Sequence, residues 1–141
     1  MTAAITLAAH LQGHGWPAAE ATMRGIIGTG RVLWRTPGPY IAEQVGDSLI
    51  GDWLDETQDD ADRAGAAVGV LVTLRQDYGP GRVASWWAHL DVQSLARITH
   101  AGMDVPDVAQ AAPVRMHVST AVLLLRTAGL GDPLTTVAVT T

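Results

Sequence analysis

The sequence predicts an all-α protein, a single compact bundle of roughly six to eight short helices packed around one central apolar helix at 64–74. Three observations predict it. Between the Gly and Pro punctuation, apolar residues recur at spacings of three and four rather than two. Within 64–74, a helix would carry Ala64, Val68, Leu71 and Val72 on its core side, and would set Gly65 and Gly69 four apart, where a second helix can approach closely. A length of 141 residues fits one domain, able to bury about two thirds of its unfolded surface.

Each element has a local reason. A first helix runs from Ala3 to Gln12 and stops at Gly13-His14-Gly15; Pro17 then opens a second, reaching Ile27 and ended by Gly28-Thr29-Gly30. Residues 31–35 form a short extended piece, a possible strand with no obvious partner. Pro39 opens the next helix, with Ile41, Val45, Leu49 and Trp53 repeating every fourth residue as its apolar side. Thr57 followed by Asp60 resembles a capping box, so the acidic segment straddles two helices and leads into the central one. Gly79-Pro80-Gly81 terminates that helix, and a short helix then carries Trp86 and Trp87. Adjacent helical side chains diverge by about 100°, so one indole can enter the core while the other covers a helix end or stays exposed, with core packing of both the commoner outcome. Asp91 caps a further helix through His100. Residues 1–134 make the domain, and the β-branched tail 135–141 is expected to fray.

Charge is concentrated in one place. Residues 43–62 hold eight of the fourteen carboxylates and no base, whereas 1–42 sum to +2 and 63–141 to +1, giving the net −5. The chain is therefore acidic on one element, and statements about partners are local. All nine basic residues are arginine and phenylalanine is absent, so five tryptophans supply most of the aromatic packing. With no cysteine there are no disulfides, thiol catalysis or thiolate metal sites. The first residues lack the basic flank of a signal peptide, and no apolar run nears the roughly 20 residues that span a bilayer. A soluble, cytoplasmic protein without membrane association is the expectation.

The carboxylates supply the leading candidate site. On a helix Asp52, Asp55, Glu56 and Asp59 stand at i, i+3, i+4 and i+7, one stripe that can meet a protein with a basic surface. Trp87 is a candidate aromatic anchor, and a tryptophan and leucine surface is the alternative contact area. The expected function is a non-catalytic protein-interaction or assembly module with an acidic contact face and an unidentified basic partner, self-association included. No cofactor is implied. His10 and His14 are four apart, but Gly13 ends the helix between them and no third metal ligand accompanies them; local capping or surface histidines are the expectation.

Two resemblances give alternatives. The order helix, Ala101-Gly102, helix, Pro113, helix, Ala128-Gly129 over 91–130 resembles a helix-turn-helix DNA-binding unit, with Val108, Ala109, Ala112, Val114 and Val122 at the usual small or buried positions. Pro113 and Ser119 depart from that pattern. The resemblance implies a regulator whose recognition helix contacts DNA through Arg115, His117, Ser119 and Thr120, with Arg97 and Arg126 on phosphate. The run Glu56-Thr57-Gln58-Asp59 resembles the E-x-x-D element of the all-α nucleotide pyrophosphohydrolases, which implies a magnesium-dependent enzyme. That family also needs an E-x-x-E element on a facing helix, and Glu43 with Asp47 has the wrong spacing.

Overall fold

The computed structural model describes residues 3–99 and 113–131. It overturns the all-α bundle: a five-stranded mixed sheet lies between helices, in the order α1 (Ala3–Gln12), β1 (Ile26–Gly28), β2 (Val32–Arg35), α2 (Asp47–Ala64), β3 (Val68–Thr73), β4 (Trp87–Asp91), α3 (Val92–Thr99), β5 (Pro113–His117) and α4 (Val118–Thr127). The strands lie side by side in chain order. β2 and β3, linked through α2, are parallel, and the other three neighbouring pairs are antiparallel.

The central element is a strand for a reason the apolar spacing hides. All six residues of β3 are buried, because helices cover both sheet faces. Val68, Val70 and Val72 face the core formed with α1 and α4, while Leu71 packs with Ile50 and Leu54 of α2. A strand buried on both faces reads as a continuous apolar run and imitates a buried helix. The two glycines divide their roles accordingly. Gly65 takes φ 74° as the left-handed residue that ends α2. Gly69 lies in β3, where a Cβ would stand 2.9 Å from the Thr57 carbonyl oxygen and 3.2 Å from the Ala61 Cβ. The close approach is helix on strand.

Other expectations are corrected in the same way. The 31–35 piece finds two partners, β1 and β3. Residues 17–27 form no helix; β1 occupies their end and turns through Gly30 at φ 83° into β2. α2 is one continuous helix through Thr57, and it buries Ile50, Leu54, Thr57 and Ala61 rather than the expected Leu49 side. Trp86 and Trp87 flank the start of β4, so period two sends them to opposite faces: Trp86 is core, and Trp87 is half-buried on the α2 side. Residues 113–117, expected at a helix start, pair with β4 as β5, and α4 begins only at Val118.

Several features stand where the sequence put them. α1 occupies Ala3–Gln12 and ends at Gly13. His14 caps it, with Nδ1 2.7 Å from the His10 carbonyl oxygen and the two rings stacked at 4.0 Å. Asp91 Oδ1 accepts the Ser94 backbone N–H at 2.6 Å at the start of α3. The continuation of that helix to His100, the Ala101-Gly102 turn, the positions Val108, Ala109 and Ala112, and the tail 135–141 lie outside the described residues.

Candidate functional site

Two surfaces on the α2 side of the sheet gather the chemistry. The first is the outer side of α2, where Asp52, Asp55, Glu56 and Asp59 are all exposed. Its inner side is fixed to β2 and β3 through Leu54, Ala61 and the gap above Gly69. Glu56 accepts a hydrogen bond from Arg35 Nη1 at 2.8 Å, and Asp60 pairs with Arg63. Asp52, Asp55 and Asp59 have no ion-pair partner among the described residues.

The second surface lies on the same sheet face, beside the start of α2. Alternation along β3, β4 and β5 sends Thr73, Trp87, His89, Arg115 and His117 to that face, and the register sets Trp87 opposite His117 and His89 opposite Arg115. The Trp87 ring has the Arg75 and Arg115 guanidiniums each 4.4 Å from its centre and the His117 ring at 5.3 Å. Its indole Nε1 donates to Glu43 Oε2 at 2.8 Å, and Glu43 Oε1 accepts the Gln76 backbone N–H at 3.0 Å. Partial burial pushes the Glu43 carboxyl upward, but the hydrogen bonds from Trp87 and Gln76, with the Arg115 charge, outweigh it and leave it below the ordinary carboxylate range. Arg75 Nη1 lies 3.0 Å from His117 Nε2; since a guanidinium only donates, that nitrogen accepts.

His89 is the buried member, 2 % exposed, with Nε2 2.9 Å from the Thr73 hydroxyl. Burial first, and Arg115 second, hold its pKa down to about 4, so the ring is neutral near pH 7. Between it and the first turn of α2 lies a cavity of about 570 Å³ lined by Asp47, Ser48, Ile50, Gly51, His89, Pro113 and Arg115.

The structure thus brings together Trp87, Arg115 and His117, which sequence reasoning had assigned to different functions. It separates them from Arg97 on α3 and from Ser119, Thr120 and Arg126 on α4, whose inner side joins the core on the opposite sheet face. Glu56 and Asp59 face solvent, and the inner side of α2 meets a sheet where the pyrophosphohydrolase resemblance implied a facing helix. Among the described residues no group of three or more His, Asp or Glu side chains is placed to hold a metal ion. Sequence reasoning missed Thr73, Arg75 and His89; the alternation Ala88, His89, Leu90, Asp91 is the signal that could have placed His89 on the polar face of a strand. No helix among the described residues is long and apolar enough to cross a membrane. Comparison with protein-family models, curated proteins and solved structures finds no match.

Proposed function

We propose that the chain is a non-catalytic, cytoplasmic contact module that binds a basic surface of a partner protein through the outer side of α2. The observation that supports it is the simultaneous exposure of Asp52, Asp55, Glu56 and Asp59 on a helix whose opposite side is packed against the sheet. Like charges three and four residues apart cost a few tenths of a kcal/mol per pair, and a partner cation relieves that repulsion. Because α2 is anchored, little order remains to be imposed when the partner docks. Association steered by such a face is fast and strongly salt-dependent. Trp87 belongs to the neighbouring shelf, where its contacts with Arg75 and Arg115 fix it as a rim group.

The test begins with capture of partners from the native host and continues with the purified pair. The Asp52→Asn, Asp55→Asn, Asp59→Asn triple variant is expected to lower the association rate at least tenfold at low salt, with an unchanged melting temperature. Unchanged binding by that variant would overturn the reading.

One observation favours a second reading. Arg75, Arg115 and His117 surround one indole on an open strand surface, an arrangement able to contact phosphates of duplex DNA from a sheet rather than from a recognition helix. A salt-sensitive shift of duplex DNA, weakened by Arg115→Ala and indifferent to Asp55→Ala, would select this reading over the first.

A further inference from the structure

We propose that the cavity between the start of α2 and strands β4 and β5 binds a phosphate group that still carries a hydroxyl, held by the Arg115 guanidinium and the second imidazole nitrogen of His89.

The tautomer of His89 follows from Thr73. That threonine is fully buried, and the only hydrogen bond of its hydroxyl among the described residues is to His89 Nε2. If Nε2 carried the proton, the threonine O–H would point at nothing and cost the desolvation of a buried donor. The threonine therefore donates to Nε2, and the ring proton sits on Nδ1. Nδ1 has no partner among the described residues, and the ring borders the cavity. The buried imidazole thus offers a neutral N–H donor, already oriented by a buried partner.

Arg115, opposite His89 in the strand register, supplies the positive charge and is exposed at the same cavity. The helix that closes the other side starts at Asp47 after the N-cap Gly46, which has no side chain to cap its first turn. Its leading N–H groups and dipole favour an anion there. Asp47 decides which anion. Its carboxylate borders the cavity and opposes a ligand made only of acceptor oxygens, but it accepts a hydrogen bond from a P–OH. Phosphate at mildly acidic pH has that O–H, and sulfate lacks it. Ser48 adds a hydroxyl, and a cavity of about 570 Å³ leaves room for a substituent on the phosphate.

The experiment follows the histidine ring resonances of the full chain at about pH 6, where a phosphate monoester keeps much of its proton. Inorganic phosphate, glycerol phosphate and sulfate are titrated at constant ionic strength. A saturable shift of the His89 signals with phosphate, at least fivefold weaker with sulfate, is expected. Arg115→Gln should abolish it, and Thr73→Val, which frees Nε2 to take the proton, should weaken it severalfold while the folded spectrum persists. Tighter binding of glycerol phosphate would assign a monoester, and equal binding free phosphate. A non-saturating response, equal shifts with sulfate, or full binding by Arg115→Gln would each overturn the proposal. None of these outcomes bears on the acidic side of α2, so the contact reading stands or falls separately.

Discussion

His89 ties a single imidazole to the stability of the whole chain. Its folded pKa, about 4, lies below the ordinary value of 6.5. The unfolded chain therefore binds the proton first as pH falls. The contribution is fully present above pH 6.5 and is lost between 6.5 and about 4, a loss of about 3 kcal/mol. Urea unfolding at a series of pH values should show that slope, and His89→Gln should flatten it. A second single-atom effect has the opposite sign. The buried Thr36 hydroxyl has no hydrogen-bond partner among the described residues. Thr36→Val keeps the shape and removes the orphaned group, so it should raise stability by about 1 kcal/mol in the same assay.

Among the elements, the pair α2 and β3 explains what could and could not be read in advance. Asp52, Asp55, Glu56 and Asp59 were legible as a stripe because a solvated helix side keeps its charge spacing whatever it packs on. Asp91 as a cap and Gly13 as a stop were legible because both act within a few residues of themselves. The identity of 68–73 was not legible, since burial on both faces erases the alternation that marks a strand. Nor were Thr73 and His89 legible as neighbours, because strand register, a long-range property, brings them together, and Glu43 reaches Trp87 and Gln76 across a sequence separation of more than thirty residues. Gly69 gives the sharpest test of the packing. A methyl there meets the Thr57 carbonyl and the Ala61 side chain, so Gly69→Ala should destabilise by about 1–3 kcal/mol through overpacking. Denaturant midpoints would measure it. A helix at 64–74 would instead have gained propensity from the same substitution.

On the scale of the whole molecule, charge follows architecture. The crossover helix carries the acids, while Arg75, just past the end of β3, and Arg115 on β5 line the neighbouring shelf, so one face of the protein holds a negative ridge beside a positive strip. The net −5 averages over both. Such a surface can meet a second copy of itself, ridge on strip, and sedimentation velocity should then show association at low ionic strength that disappears at high salt. The same experiment on Asp55→Arg is expected to give monomers only.

The sheet order leaves β1 and β5 at its two ends. β1 is three residues long and bridged by Ala21, whereas β5 has a strand partner on one side only among the described residues. Yet β5 is a poor template for a stray strand. It opens with Pro113, which has no N–H to offer, and its outward alternation presents Arg115 and His117. The two side chains that make the shelf chemically interesting therefore also guard the open rim of the sheet against fibrous aggregation. Exchanging Pro113, Arg115 and His117 for valine would remove that guard, and a dye-detected fibril assay at high protein concentration should find the variant aggregating where the parent chain remains dispersed.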